Sequence, residues 1–136
     1  GTTSTRSLES LYWLGVQMKE FPSSDPFSLA IAQWDNEHLP QDVPLPESIE
    51  ALIGFCRKHD LDQLRFSTQL MIVPGYKFRT IQGLITNFHM PGSTLLLLIA
   101  AWIGEDWRKV YNYALKEKFR FLSYGDSSLL LPGLKQ

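Results

Sequence analysis

The sequence LITNFHMPGSTLLLLIAAWIG, residues 84–104, predicts a strand, a turn and a helix in direct succession. Residues 84–88 favour a short strand, and Met90-Pro91-Gly92-Ser93 breaks it. The run that follows from Leu95 is apolar on every side, which predicts a buried helix, and Gly104 suits its end. A strand that leads through a polar turn into a buried helix is typical of α/β proteins.

The segments on either side of this stretch continue the alternation of strands and helices. Residues 70–73 and 76–81 predict two strands around the Pro74-Gly75 turn, and residues 119–124 predict a last strand. Because strands and helices alternate, we expect an α/β fold, a layered sandwich of short strands and helices. Asp106 is expected to cap a helix with one face formed by Trp107, Val110, Tyr111, Ala114 and Leu115.

The first half of the chain predicts two longer helices joined by a proline-rich connection. The first helix starts near Thr3 or Ser4, either of which suits its cap, and ends near Phe21-Pro22. Residues 23–46 are connecting structure with one short helix expected at residues 27–34. The second helix runs from Pro46 to about His59. The predicted buried faces are Leu8, Leu11, Tyr12, Gly15 and Met18 in the first helix and Ile49, Leu52, Ile53 and Cys56 in the second.

Composition restricts the class of protein. With 136 residues and 44% hydrophobic content, the chain is long enough for one ordinary domain with a core. Its 13 basic and 14 acidic residues give a net charge of -1, which argues against an autonomous nucleic-acid binder. Cys56 is the single cysteine, so an internal disulfide is excluded and a reducing cytoplasm is favoured. The apolar run 95–103 is much shorter than the roughly 20 residues that span a bilayer, so we expect no membrane contact and a cytoplasmic protein.

The densest polar cluster, residues 86–94, lies at the predicted junction from strand to helix, where α/β proteins bind ligands. The start of the helix favours a carboxylate or phosphate, with Ser93 and Thr94 as additional donors. Capping of the helix by Ser93 is an equally good interpretation. His89 has an ordinary pKa of about 6.5 and suits proton transfer, although a lone histidine is more often a structural hydrogen-bonding residue.

Other polar groups have a structural and a functional interpretation. Asp126 follows Tyr124-Gly125 and is either a base or ribose-hydroxyl acceptor, or a turn-forming residue. Arg6 and Glu9 are spaced for an intrahelical ion pair. No His, Cys or Asp pair has metal-ligand spacing, so no metal is predicted. A locally basic stretch favours a solvated helix face over contacts with nucleic-acid phosphates, and comprises Arg108, Lys109, Lys116, Lys118 and Arg120.

Three segments resemble the S-adenosylmethionine:tRNA ribosyltransferase-isomerase family. They are GTTSTRSLES at residues 1–10, PGYKF through LITNFH at 74–89, and FRFLSYGD at 119–126. The resemblance covers the first ten residues and residues 70–131, whereas residues 23–66 look like an insertion. It implies that residues 1–136 are the carboxy-terminal portion of the α/β domain of a two-domain enzyme, whose other domain is a β-barrel. The absence of an initial Met also predicts a fragment.

The resemblance implies a reaction in which S-adenosylmethionine is a substrate rather than a cofactor, and no cofactor is expected. Its ribosyl group is transferred and isomerised onto aminomethyl-deazaguanine in tRNA, giving epoxyqueuosine. In the mechanism commonly proposed for the family, a base removes a proton beside the sulfonium, adenine leaves, and the aminomethyl group attacks the sugar. Closure of the epoxide then expels methionine. We expect tRNA to bind through the full-length protein, and the fragment alone to be inactive.

The resemblance also places candidate site residues. His89 or Asp126 would transfer the proton, and Tyr76 and Tyr124 would stack on a base or the adenine. Two departures from the family pattern are Gly92 in place of a lysine, and Ser127-Ser128 in place of Ala-Met. The substrate-binding candidates are Thr2, Thr3, Arg6, Glu9, Tyr76, Thr86, Asn87, Ser93, Thr94, Tyr124 and Gly125.

Two other functions remain open at this point. The first alternative is a non-catalytic tRNA- or protein-binding module on the same scaffold. The second is a different small-molecule enzyme, which acts on another nucleoside or thioether. The sequence does not predict the oligomeric state.

Overall fold

The computed structural model of the protein describes residues 1–131, which form two compact units. We call residues 6–71 the 6–71 unit, and we call residues 1–5 together with residues 72–131 the terminal unit. Helices alternate with short strands along the chain, so the mixed α/β class is confirmed. Within residues 1–131, no helix is long and apolar enough to cross a membrane.

The 6–71 unit contains most of the first helix and a short parallel sheet. Ala30 pairs with Ser67 and Ile31 with Thr68, and backbone hydrogen bonds continue this ladder to Met71, whose N–H donates to the Gln33 carbonyl over 3.1 Å. The elements are α1 (Thr2–Glu20, whose first residues belong to the terminal unit), β1 (Ala30–Ile31), α2 (Asp35–His38), α3 (Leu45–Lys58) and β2 (Ser67–Thr68).

Helices α1 and α3 approach each other closely at Gly15. A Cβ atom placed on Gly15 would lie 2.1 Å from Ser48 Oγ and 2.2 Å from the Ser48 carbonyl oxygen. The Ser48 hydroxyl donates to the Tyr12 carbonyl over 2.6 Å, and the Tyr12 hydroxyl donates to the Val43 carbonyl over 2.7 Å. Only a glycine leaves room for this contact, and each polar group buried by it has a partner.

Several predictions for this half were wrong in detail. The short helix expected at residues 27–34 is replaced by β1 and α2. Thr3 and Ser4 lie inside the first turn of α1 rather than capping it, because the Thr5 N–H already bonds to the Gly1 carbonyl over 3.0 Å. Tyr12, Met18 and Leu52 are buried as predicted. The buried faces also include residues that were not predicted, whereas Leu8, Ile49 and Ile53 are exposed; the unpredicted buried residues are Trp13, Leu14 and Val16 in α1 and Ser48 and Phe55 in α3.

The terminal unit contains an antiparallel pair of strands and two helices. Leu84 pairs with Leu130 and Asn87 with Ser127. The alternation of the strands leaves Ile85 and its partner Leu129 on the open face, 64% and 62% exposed. The elements are β3 (Leu84–Asn87), α4 (Thr94–Ile103), α5 (Asp106–Lys116) and β4 (Ser127–Leu130).

An aromatic cluster around Phe88 fixes the end of β3. The Phe88 ring stacks on Phe121 at 5.5 Å and meets Tyr111 and Phe119 edge to face at 5.5 and 5.6 Å. The Phe88 carbonyl also accepts a hydrogen bond from the N–H of Leu122 over 2.8 Å. Because Phe88 is buried and directly precedes His89, this cluster holds the backbone at the candidate site.

The structure corrects several predictions for the terminal unit and its boundary. No strand forms at 70–73, 76–81 or 119–124: the 70–73 run contains the boundary between the units, and the chain turns at Leu122 with φ +62°. Helix α4 is buried on one side only, since Leu97 is 40% exposed. Glu105 rather than Asp106 occupies the cap position of α5, and Leu115 is exposed rather than part of its buried face.

Candidate functional site

A cavity of about 280 Å³ in the terminal unit brings together two of the predicted motif segments. We call it the polar cavity. The start of α1 contributes one wall, and β3 with the first residue of β4 contributes the other. It is lined by Gly1, Thr2, Thr3, Ser4, Ile85, Thr86, Asn87, His89 and Ser127.

His89 is the most constrained polar group in the polar cavity, because it is buried and held at two atoms. Its Nε2 lies 3.0 Å from Thr86 Oγ1, and its backbone N–H donates to the Tyr111 hydroxyl oxygen over 2.9 Å. Burial lowers the pKa of His89 below its ordinary value. Burial likewise raises the pKa of Tyr111, so that hydroxyl stays protonated near neutrality. The imidazole is therefore neutral at pH 7 and can accept a proton.

Thr2 presents an unsatisfied hydroxyl at the polar cavity. The residue is 6% exposed, and its side chain forms no hydrogen bond within residues 1–131. The N–H of Thr5 makes the first backbone bond of α1, to the Gly1 carbonyl, so the preceding amide groups have no intrahelical acceptor. This end of the cavity therefore offers several hydrogen-bond donors.

Ser93 and Thr94 line a different cavity, which we call the apolar cavity. It measures about 410 Å³. Ser93 caps α4 by accepting a hydrogen bond from the Leu95 N–H over 3.1 Å, and Thr94 is the first residue of that helix. The cluster at residues 86–94 that the sequence suggested as one site is thus divided between two cavities. The apolar cavity is lined by Pro74, Gly92, Ser93, Thr94, Leu96, Leu97, Ala100, Gly104, Glu105, Trp107 and Arg108.

Asp126 is held in a turn by Arg120. The Arg120 Nε lies 3.2 Å from Asp126 Oδ2, and the Arg120 backbone N–H donates to the same oxygen. Hydrogen bonds from the Arg120 side chain and backbone lower the pKa of Asp126, which makes it a weaker base. Gly125 has φ +117°, and Tyr124 is 73% exposed. None of these residues is among those lining the two cavities.

The remaining candidates lie elsewhere. The Tyr76 ring packs edge to face on Phe78 at 5.1 Å, with the Arg79 guanidinium 5.7 Å from its centre. Arg6 and Glu9 belong to the 6–71 unit. Glu9 is 0% exposed, and Arg6 Nε is buried without a hydrogen-bond partner in the described part of the chain. The proposed roles of these three residues stay predictions.

Sequence reasoning missed three residues at the polar cavity. Ser4 and Ser127 line it, and Tyr111 holds the His89 backbone. Ser127 was noticed only as a departure from the family pattern. Ser127 lies opposite Asn87 in the antiparallel strand pair, and this pairing would have placed it at the site. The sequence did not show the pairing, because the last strand was predicted at residues 119–124, before Ser127.

Acidic neighbours engage much of the basic stretch. Arg108 pairs with Glu105, Lys109 pairs with Asp106 at 2.8 Å, and Arg120 pairs with Asp126. These contacts agree with a solvated surface rather than a tRNA-binding face. Within residues 1–131, no three His, Cys, Asp or Glu side chains are grouped so that they could hold a metal ion.

Comparison with known proteins gives one family. A family model described as queuosine biosynthesis protein matches residues 1–130. An S-adenosylmethionine:tRNA ribosyltransferase-isomerase of Rhizorhabdus wittichii is 50% identical over 90 residues, 65% of this chain and 25% of that protein. The protein of the same name from Ruegeria pomeroyi is 55% identical over 67 residues, 48% of this chain and 19% of that protein.

A solved structure, the S-adenosylmethionine tRNA ribosyltransferase of Thermotoga maritima, is also similar. It is 30% identical, with a TM-score of 0.45, over 62% of this chain and 38% of that chain. The present chain spans about a quarter or less of the length of the curated relatives described above.

Proposed function

We propose, because this chain belongs to the queuosine biosynthesis protein family, that it forms part of a tRNA-modifying transferase and isomerase. The substrate would be S-adenosylmethionine, whose ribosyl group is transferred and isomerised onto aminomethyl-deazaguanine in tRNA to give epoxyqueuosine. The part of this chain that matches covers only 25% and 19% of these two curated relatives, so we propose that the chain is inactive alone. The remaining length of such a relative would supply the other walls of the site and the tRNA contacts.

The observation that supports this proposal best is the polar cavity. It combines Thr2 and Thr3 of the opening motif with Thr86, Asn87 and His89 of the second motif, although more than eighty residues separate them. A reaction that removes a proton and transfers a sugar needs a base beside groups that hold hydroxyls. The cavity provides both kinds of group.

His89 is the better candidate for the base. Its lowered pKa leaves it neutral at pH 7, whereas the carboxylate of Asp126 is stabilised by Arg120 and lies outside the lining of the cavity. The Thr86 hydroxyl donates to the Asn87 carbonyl over 3.2 Å and can accept from His89 Nε2–H. In that arrangement Nδ1 carries the lone pair and would receive the proton.

The start of α4 is the proposed position of the methionine carboxylate. The exposed amides of the first turn and the helix dipole favour an anion there, and Thr94 adds a hydroxyl donor. Ser93 serves as the cap, so its contribution would come through the geometry of the first turn. The apolar wall of that cavity, with Trp107, suits the thioether chain.

A chimera tests the proposed function. In the Rhizorhabdus wittichii relative, this chain replaces the part that it matches, and adenine release from S-adenosylmethionine is followed with precursor-bearing tRNA. We expect release by the chimera, none by the 136-residue chain alone, and a loss of about 100-fold or more with His89→Gln. His38→Gln, at an exposed histidine of α2, is the matched control. A folded chimera that binds tRNA without releasing adenine would instead support a non-catalytic module.

A further inference from the structure

We infer that the polar cavity binds the vicinal hydroxyls of a ribosyl group, and that Ser4 and Ser127 are additional binding residues. The inference rests on the proposed function for its ligand, but it concerns which part of that ligand occupies which cavity. It assigns the uncharged sugar to the polar cavity and leaves the charged carboxylate to the start of α4.

The first argument is the unsatisfied Thr2 hydroxyl. Thr2 is 6% exposed, yet its hydroxyl oxygen is not one of the buried side-chain atoms that lack a partner, so this oxygen is open to the cavity that Thr2 lines. The hydroxyl forms no hydrogen bond within residues 1–131. A ligand hydroxyl, which donates and accepts, is the complementary partner.

The second argument is charge. None of the side chains that line the polar cavity is a lysine or arginine. Six of them are hydroxyls or small amides that both donate and accept, and the pKa of His89 is lowered, so its imidazole is uncharged at pH 7. Sites for phosphate or carboxylate normally include a cationic side chain, whereas neutral groups of mixed character match a sugar.

The third argument is how firmly the groups are placed. Asn87 and Ser127 are directly opposed in the β3·β4 register, and directly opposed residues project to the same face of a sheet. Thr86 and His89 are fixed by their mutual contact, and His89 is anchored to Tyr111. Apart from Gly1 and His89, the residues that line the cavity belong to α1, β3 and β4.

The fourth argument is size. A cavity of about 280 Å³ falls just below the range of roughly 300–1,000 Å³ found for drug-sized ligands. It suits one part of S-adenosylmethionine and not the whole molecule. A pentose ring with its two hydroxyls is a part of suitable size and polarity.

Nuclear magnetic resonance on the isotope-labelled 136-residue chain tests the inference. The probes are S-adenosylmethionine, its 2′-deoxy analogue and inorganic phosphate. We expect S-adenosylmethionine to shift the resonances of Thr2, Asn87 and His89, and the analogue to bind on the order of tenfold more weakly, because one buried hydrogen bond is lost. Thr2→Val and Ser127→Ala should each reduce that ratio, whereas Ser123→Ala, at an exposed serine outside the cavity, should leave it unchanged.

The outcomes separate this inference from the proposed function. Equal affinities of the wild-type chain for S-adenosylmethionine and its analogue overturn the inference and leave the proposed function standing. Failure of the 136-residue chain to bind S-adenosylmethionine overturns the inference, whereas the proposed function, which assigns the other walls of the site to the rest of the relative, is decided by the chimera. Larger shifts at Thr2 with phosphate than with S-adenosylmethionine identify an anion site and overturn the inference. If Thr2→Val disturbs the fold, Ser127→Ala still decides, because Ser127 is exposed.

Discussion

The two units of this chain use their buried polar groups differently. In the 6–71 unit several of these groups bond to one another: Ser48 bonds to the Tyr12 carbonyl, Tyr12 to the Val43 carbonyl, and Ser10 Oγ to Thr68 Oγ1 at 2.7 Å. Three others, Arg6 Nε, Asn36 Oδ1 and His59 Nε2, are buried away from solvent without a hydrogen-bond partner in the described part of the chain. In the terminal unit, Thr2 has an unsatisfied hydroxyl at a cavity, and His89 lines the same cavity.

This difference indicates which unit has polar groups within reach of a ligand. Polar groups that bond to one another leave little for a ligand to bind, and buried ones are closed to it. Polar groups that line open space are hydrated, and they can exchange water for a ligand. On this comparison, substitutions in the 6–71 unit should affect mainly stability, and substitutions in the terminal unit should affect binding as well.

The largest effect is expected from Gly15→Ala in the 6–71 unit. The new methyl group would collide with backbone atoms of Ser48, so α1 and α3 must separate. We expect a loss of roughly 3 kcal/mol in the free energy of unfolding, measured by urea denaturation. The matched control is Gly54→Ala, because Gly54 is a helical glycine with open space around it. That change should stabilise the chain by about 0.5–1 kcal/mol; equal effects of the two substitutions would contradict the close approach.

In the terminal unit, Tyr111→Phe should cost about 1–2 kcal/mol. It removes the acceptor of the buried His89 N–H while keeping the ring in the Phe88 cluster. Thermal unfolding measures the loss, and faster hydrogen exchange of the His89 amide locates it. Tyr113→Phe, on the same helix and 60% exposed, should change stability by less than about 0.5 kcal/mol. If both variants behave alike, the Tyr111 contact does not hold His89.

Ser93→Ala should cost about 1 kcal/mol, since the N-cap of α4 is lost. Ser93→Asp distinguishes capping from ligand binding, because its carboxylate can accept the Leu95 N–H but repels a carboxylate ligand. We expect Ser93→Asp to retain most of the stability in a thermal melt and to weaken S-adenosylmethionine binding. Unchanged binding in Ser93→Asp would show that Ser93 is only a cap.

The smallest effect is the pH dependence contributed by His89. Its pKa is lowered in the folded chain, whereas in the unfolded chain it is about 6.5. Between those two values the unfolded chain binds more protons, so stability is complete above pH 6.5 and falls as the pH decreases towards the folded pKa. His89→Gln should flatten this part of the curve of unfolding free energy against pH, and His38→Gln, at an exposed histidine, is the matched control.

Helices were easier to predict from this sequence than strands. α1, α3 and α5 are long enough to show their period, α4 is recognised as a continuous apolar run, and Gly104 and Pro46 mark two of the helix ends. The apolar residues 119–124 resemble a strand, but Phe119 and Phe121 pack on Phe88, and the chain turns at Leu122. Burial in an aromatic cluster and burial in a sheet have the same local pattern.

The sequence named several residues that the structure brings to one cavity, but it did not show that the candidate residues divide between two cavities. Thr2, Thr3, Thr86, Asn87 and His89 were named from motifs, and the structure places all of them around one cavity. Ser93 and Thr94 follow shortly after, yet they face another cavity, because the turn at residues 91–92, with φ +80° at Gly92, redirects the chain before α4 begins. Spacing along a sequence cannot show such a change of direction.

The open face of β3 and β4 has a practical consequence for handling this chain. Within residues 1–131 each of these strands pairs with one neighbour, so both keep a free edge, and Ile85 and Leu129 lie exposed side by side. Free edges beside apolar side chains favour pairing between molecules. A concentrated stock should therefore form assemblies that light scattering detects, and Ile85→Lys should keep it dispersed without touching the interior of either unit.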